Sequence, residues 1–109
     1  MIEKLYTLIG FCSKAGSLIA GAESVRKAVK SEKAKLVLLD GSMSENSKKE
    51  FYDASSFRNI QIFADNNSGE IARASGKNSK KVFAVLDANF AEKMIEIINE
   101  LAIAGVNKN

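Results

Sequence analysis

KAGSLIAGAESVRKAVKSEKAKLVLLD, residues 14–40, joins three elements that together predict the architecture. A glycine-bearing loop is predicted over 16–21. A helix follows at once, because its apolar residues recur at helical spacing and form one buried stripe: Ala22, Val25, Ala28 and Val29. A strand is predicted over 35–39, and its apolar character indicates a central position in a sheet.

The start of this helix favours an anionic ligand. The first turn of a helix carries free backbone N–H groups and a partial positive charge, and Gly21 lets another backbone approach closely. Four basic side chains stand largely off the buried stripe and extend this attraction: Arg26, Lys27, Lys30 and Lys33. This arrangement favours nucleic acid as the ligand.

Further helices and strands are predicted on both sides of this stretch. Apolar residues at helical spacing predict a first helix over 2–14 and a last helix over 89–102. Short apolar runs predict strands over 60–63 and 82–86. Because strands alternate with helices, we expect one α/β domain over 1–109, a three-layer α/β/α sandwich with a small mixed four-stranded sheet.

Two shorter segments connect these elements. A third helix is predicted to end near residue 57, and its start is capped either by a box of Ser42 and Glu45 or by Ser44. The turn cluster over 65–69 leads into a short helix.

The composition indicates a small protein of the cytoplasm. A chain of 109 residues is long enough for one hydrophobic core. Its apolar runs are too short to span a bilayer, and its start lacks the apolar core of a signal peptide. The single Cys12 fits a reducing compartment. We expect no membrane association, and a frayed end over 107–109.

The residue types argue against catalysis. The chain contains no histidine, which excludes histidine-based acid–base chemistry and the commonest zinc sites. It lacks the glycine-rich fingerprints of phosphate and dinucleotide binding. Cys12 lies on the apolar side of its helix and is expected in the core. Asp40, after an apolar strand, leaves a small enzyme or phospho-acceptor domain as an alternative, although a lone aspartate there more often caps a turn. We expect no cofactor, no metal and no small-molecule substrate.

The charge is unevenly distributed along the chain. The formal net charge is +3. Basic residues dominate 26–35 and 73–81, whereas acidic residues dominate 87–101. If the two basic segments meet in space, the surface is polarised toward an anionic partner. The alternative is that the lysines only solvate exposed faces.

Several motifs together resemble one known family. GAESVRKAV at 21–29, followed by AKLVLL at 34–39, resembles the kink-turn-binding ribosomal proteins of the L7Ae class, and above all their small bacterial members. The similarity continues through SENSKK at 44–49, IARASG at 71–76 and the strand from Val82. It therefore covers nearly the whole domain.

The resemblance implies a protein that binds a sharply bent RNA internal loop with tandem G·A pairs and is either associated with the ribosome or acts on another structured RNA. The family motif at the second helix runs glycine, any residue, asparagine, glutamate, two residues, lysine. Gly21 and Lys27 match it, whereas Glu23 and Ser24 stand where asparagine and glutamate are typical. A second contact is implied in the loop before the short helix, 65–71.

The candidate RNA-binding residues combine this motif with nearby basic and turn residues: Lys14, Gly21, Glu23, Ser24, Arg26, Lys27, Lys30, Asn66, Asn67 and Ser68. Two simpler roles remain open, because Lys14 fits the negative end of the first helix and the asparagines fit their own turn. The competing function is a protein-interaction module on the same fold without specific RNA binding, which the residues at 23 and 24 favour. We expect a monomer.

Overall fold

The structure, a computed structural model, describes residues 1–105, so the predicted frayed end at 107–109 lies outside the described residues. The described chain forms five helices and four strands in this order: α1 (Ile2–Lys14), β1 (Leu18–Ala20), α2 (Ala22–Lys30), β2 (Leu36–Asp40), α3 (Glu45–Phe57), β3 (Ile62–Asp65), α4 (Glu70–Ser75), β4 (Val82–Val85) and α5 (Ala88–Ile103).

The four strands form one mixed sheet in the order β1-β4-β2-β3. β2 is parallel to β3 and antiparallel to β4, and β4 is antiparallel to β1. All residues of β2 are buried. Its central position in the sheet confirms the prediction made from its apolar character.

Helices cover both faces of the sheet and create two hydrophobic cores. Alternate residues of β2 point to opposite faces, so Leu36 and Leu38 join the core beneath α1, α4 and α5. Val37 and Leu39 join the core beneath α2 and α3. The predicted three-layer α/β/α sandwich with a mixed four-stranded sheet is therefore confirmed.

The prediction of a continuous loop over 16–21 was wrong, because residues Leu18–Ala20 form β1. This strand pairs with β4, with Leu18 opposite Val85 and Ala20 opposite Phe83. β3 also begins later than predicted, at Ile62. Ile60 still belongs to the turn that follows α3, since its N–H donates to the carbonyl of Ser55 (2.9 Å).

Helix caps settle two open boundaries. Ser44 caps α3, because its hydroxyl accepts a hydrogen bond from the N–H of Ser47 (3.2 Å). The predicted capping box of Ser42 and Glu45 is wrong, since the hydroxyl of Ser42 donates to Asp40 (2.7 Å). α5 begins slightly earlier than predicted, because the carboxylate of Asp87 accepts from the N–H of Phe90 (3.0 Å).

Cys12 lies in the core, as predicted. Its side chain packs beneath α1 among the buried residues that α1, α4 and α5 share with the sheet. Burial, and secondarily the charge of Asp87, raises the pKa of the thiol to about 11. The thiol is therefore protonated at neutral pH, which makes it a poor nucleophile and a poor metal ligand.

Candidate nucleic-acid interface

Four loops meet at one edge of the sheet. β1, β2 and β3 end at this edge, and β4 begins there, because β4 is antiparallel to its neighbours β1 and β2 while β3 is parallel to β2. We call the surface formed by residues 21–24, 40–44, 65–69 and 79–81 the loop edge. The structure thus brings the start of α2 and the turn at 66–68 to the same end of the sheet.

The start of α2 is open at the loop edge. Gly21 precedes the helix with φ +104°, a conformation that L side chains rarely adopt. Its N–H donates to the carbonyl of Val82 (2.9 Å), which ties it to β4. Glycine has no side chain that could cap the helix, so the N–H groups of the exposed residues Ala22, Glu23 and Ser24 are available to a ligand.

Lys80 lies beside this helix start. A Cβ atom added to Gly21 would lie 3.8 Å from the Nζ of Lys80. The surface between them is a depression of about 350 Å³, lined by Gly21, Ala22, Ser42, Met43, Ser44, Ser47, Ser79, Lys80, Lys81 and Val82. The end of the basic segment at 73–81, Lys80 and Lys81, therefore lies beside the start of α2, the helix that carries part of the other basic segment.

Lys80 and Lys81 are candidate site residues that the sequence reasoning did not assign to the site. The sequence indicates their positive charge, but their position depends on which strands are neighbours. β4 lies between β1 and β2, and this order places the residues before β4 between the ends of those strands.

The outward side of α2 carries three of the predicted residues. Glu23 and Lys27 are four residues apart and Ser24 and Lys27 are three apart, so they share one side of the helix. All three are exposed. The opposite stripe is buried as predicted except for Ala22, which is exposed because it lies at the loop edge rather than over the sheet.

Arg26 reaches toward α3, although its side chain remains 41% exposed. Its guanidinium forms an ion pair with Glu50, and Nη2 donates to Oε1 of Glu50 at 3.4 Å. The hydrogen bond with Glu50 raises the pKa of Arg26. The guanidinium also lies 5.7 Å from the centre of the Phe51 ring. Arg26 therefore links α2 to α3, and Glu50 partly compensates its charge.

Lys14 and Lys30 lie away from the loop edge. Lys14 is in the last turn of α1, at the opposite end of β1 from Gly21, where it fits the negative end of that helix. Lys30 ends α2, a helix of nine residues, and thus lies about 12 Å along the axis from its start. The structure does not bring either lysine to the site.

The turn at 66–68 is partly held by its own contacts. The backbone N–H of Asn67 donates to Oδ1 of Asp65 (3.0 Å), and its side-chain amide donates to the hydroxyl of Tyr6 (3.1 Å). Asn66 and Ser68 are exposed. Because β1 and β3 are three positions apart in the sheet, this turn lies about 14 Å from the start of α2.

Asp40 suggested the alternative of a small enzyme or phospho-acceptor domain. In the structure its carboxylate is buried and caps two turns. Only 3% of it is exposed. It accepts hydrogen bonds from the N–H (2.9 Å) and hydroxyl (2.7 Å) of Ser42 and from the N–H of Gly69 (2.6 Å). Burial alone would raise the pKa of Asp40, but these hydrogen bonds and the charge of Lys81 outweigh it and lower the pKa. These contacts fit the turn-capping role rather than a phospho-acceptor.

Within 1–105, no three histidine, cysteine, aspartate or glutamate side chains are grouped as a metal ion would require. In the same part of the chain, every helix is too short or too polar to cross a membrane.

Comparison with known proteins identifies the family. The model of the ribosomal protein L7Ae/L30e/S12e/Gadd45 family matches residues 3–95, which is most of the chain. The protein therefore belongs to this family, and the resemblance drawn from its motifs is confirmed.

Two bacterial relatives cover nearly the whole domain. The chain is 38% identical over 96 residues to the RNA-binding protein YlxQ of Enterococcus faecium, covering 88% of this chain and 92% of the relative. It is 29% identical over 94 residues to the RNA-binding protein YlxQ of Bacillus subtilis (strain 168), covering 86% and 94%.

Solved structures agree with the fold. A protein of unknown function from Bacillus halodurans superposes with a TM-score of 0.84 at 31% identity, covering 88% of this chain and 97% of that one. The Giardia lamblia 15.5kD RNA binding protein superposes with a TM-score of 0.72 at 16% identity, covering 89% and 86%. The second similarity supports the fold alone.

Proposed function

We propose that this protein binds structured RNA through the loop edge and recognises a kink-turn-like bend. The observation that carries this proposal is the Lys80 ammonium beside the open start of α2 at Gly21. Two relatives that are called RNA-binding proteins and align over most of the chain support it. The protein acts by binding, without catalysis.

A bent RNA offers what this surface can contact. Regular A-form RNA hides its base edges in a deep, narrow major groove, whereas a kink exposes them and crowds phosphates together. The N–H groups at the start of α2 and the ammonium of Lys80 suit a phosphate. The side chains of Glu23, Ser24 and Lys27 extend from the adjacent helix face and suit base edges.

The site we propose differs from the set predicted from the sequence. Its centre consists of Gly21, Glu23, Ser24, Lys27 and Lys80. Arg26, Lys14 and Lys30 are left out of this centre, because the first is paired with Glu50 and the other two lie away from the loop edge.

The turn at 66–68 is a peripheral contact in this proposal. An RNA bound at the start of α2 can contact this turn only if it also extends along the loop edge from β1 to β3. Association with the ribosome, a monomeric state and a cytoplasmic location also belong to the proposal.

The competing function is a protein-interaction module without specific RNA binding. The observation that favours it is the exposed carboxylate of Glu23 in the first turn of α2. A carboxylate there repels a nearby phosphate and would suit a basic partner instead.

The direct test is a titration with a kink-turn RNA and a matched copy whose G·A pairs are replaced by Watson–Crick pairs. We expect tighter binding to the kink-turn RNA, because only the bent RNA presents base edges to α2. Affinity for both RNAs should fall as salt rises, since lysines displace counterions from phosphates. Equal affinity for the two RNAs would leave only nonspecific attraction and would contradict the proposal.

A second expected result is that RNA binding needs no thiol chemistry. The change Cys12→Ala should leave the affinity for kink-turn RNA unchanged, because the side chain is buried on the α1 side of the sheet. It should lower the free energy of unfolding by about 1 kcal/mol through the lost contacts. Urea unfolding measures the second effect and RNA titration the first. A stoichiometric metal that is lost with Cys12 would overturn this expectation.

A further inference from the structure

The carboxylate of Asp40 is hydrogen-bonded to two of the loops that form the loop edge. One carboxylate oxygen, Oδ1, holds the 40–44 loop through the N–H and hydroxyl of Ser42. The other oxygen, Oδ2, accepts from the N–H of Gly69 and so holds the 65–69 turn. A third loop is reached through Ser42, whose hydroxyl accepts a hydrogen bond from Nζ of Lys81 (3.0 Å).

The Ser42 hydroxyl connects Asp40 and Lys81 through two hydrogen bonds of fixed direction, donating to Asp40 and accepting from Lys81. A hydroxyl has a single hydrogen, and here it is donated to the carboxylate of Asp40 at 2.7 Å. The lone pairs of the oxygen are then available to Lys81. The carboxylate therefore orients the hydroxyl, and the hydroxyl holds the exposed ammonium of Lys81 through one hydrogen bond.

The charge of Asp40 also changes how the two neighbouring lysines can act. The buried carboxylate attracts Lys81 and partly compensates its charge. Lys80, which lies toward Gly21, has no such contact with Asp40 among the described hydrogen bonds and ion pairs of residues 1–105. One lysine is thus held in place by the fold, and the other remains available to a phosphate.

We infer that Asp40 is the positioning residue of the RNA interface, and that it determines selectivity for bent over straight RNA. This inference rests on the proposed function. Its buried carboxylate holds three loops in one arrangement, so the surface does not have to be ordered when the bent RNA binds. It also partly compensates the charge of Lys81, so this lysine contributes less to nonspecific binding of any phosphate backbone.

The test is Asp40→Asn, which removes the charge while keeping the size of the side chain. We expect the ratio of affinities for kink-turn and Watson–Crick RNA to fall about tenfold, the effect of one charge-assisted hydrogen bond. The Watson–Crick RNA should bind as tightly as before or more tightly. The logarithmic salt slope should become steeper by about one unit, because Lys81 becomes free to neutralise a phosphate.

Asp87→Asn is the matched control. Asp87 also follows a strand and caps the start of α5, but it lies at the opposite edge of the sheet from the loop edge. This variant should keep the wild-type selectivity and salt slope. An Asp40→Asn protein with wild-type selectivity and slope overturns the inference. An equal loss of affinity for both RNAs also overturns it, because the selectivity would then be that of the wild type.

Hydrogen exchange separates this inference from the proposed function. If the wild-type protein does not discriminate between the two RNAs, the proposed function fails, and the role of Asp40 in selectivity fails with it. If the wild type does discriminate, the Gly69 amide should exchange at least about tenfold faster in Asp40→Asn and at the wild-type rate in Asp87→Asn. Unchanged exchange at Gly69 in Asp40→Asn overturns the positioning role.

Discussion

Lys27→Ala is expected to weaken binding of a kink-turn RNA by roughly 1–3 kcal/mol, the range for a good contact with a base edge. Lys27 is exposed on α2, on the same side as Glu23 and Ser24, so its truncation removes a contact without opening the core. Titration of the RNA at fixed salt measures the loss. Lys30→Ala is the matched control, because it removes the same charge at the far end of the same helix, where we expect a smaller effect.

The change opposite in sign is Glu23→Asn combined with Ser24→Glu, which restores the motif of the family at both positions. We expect tighter binding, because the carboxylate at position 23 repels phosphate and an asparagine there can both donate to and accept from a base. Circular dichroism and melting must first match the wild type. If Lys27→Ala binds like the wild type and the double variant gains nothing, the start of α2 is not the RNA site, and the interaction module becomes the better proposal.

The second large effect is expected from Gly41→Ala. A Cβ atom at Gly41 would lie 2.7 Å from the carbonyl oxygen of Asp65 and 3.1 Å from the Cα of Asn66. Both are backbone atoms, so the two loops at the ends of β2 and β3 must separate. The hydrogen bond from the N–H of Gly41 to the same carbonyl (2.7 Å) is then strained. We expect the free energy of unfolding to fall by about 1–3 kcal/mol, the usual cost of overpacking.

Urea unfolding measures this loss, and RNA titration shows whether the displaced loops weaken binding. Gly16→Ala is a useful control, because Gly16 has φ +76° with open space around its Cβ position and lies at the opposite edge of the sheet. It should lower stability through backbone strain while leaving the RNA affinity of the folded protein unchanged. Wild-type stability and affinity in Gly41→Ala would contradict the close contact between the two loops.

The features that could be predicted from sequence are those with a local signal. Helical spacing predicts α2 because its buried residues are three and four positions apart, and an apolar run predicts β2 because a central strand is covered on both faces. β1 has only three residues, and its pairing partner β4 is more than sixty positions away. Nothing near Leu18–Ala20 in the sequence indicates that pairing.

In the candidate site, too, only the features with a local signal could be predicted from the sequence. The start of α2 was predicted because Gly21 directly precedes the helix and Lys27 lies within it, at positions close in sequence. The neighbouring position of Lys80 depends on β4 lying beside β1, and the pairing of Arg26 with Glu50 depends on how α2 packs on α3. Both contacts join residues that are distant in sequence, and charge alone does not reveal which lysine or arginine is already compensated.

The strand order has a consequence for the timing of events during synthesis. β4 is the last of the four strands to be synthesised, yet it lies between β1 and β2 in the sheet. Lys80 and Lys81 directly precede it, so their position depends on this pairing. A nascent chain that ends before residue 82 can form α2 but cannot pair β1 with the rest of the sheet. Contacts between distant segments form late, because closing a long loop costs entropy before the contacts stabilise it. The proposed RNA-binding surface is therefore complete only after nearly the whole domain has emerged, and incomplete chains lack the arrangement that we propose for recognising a bent RNA.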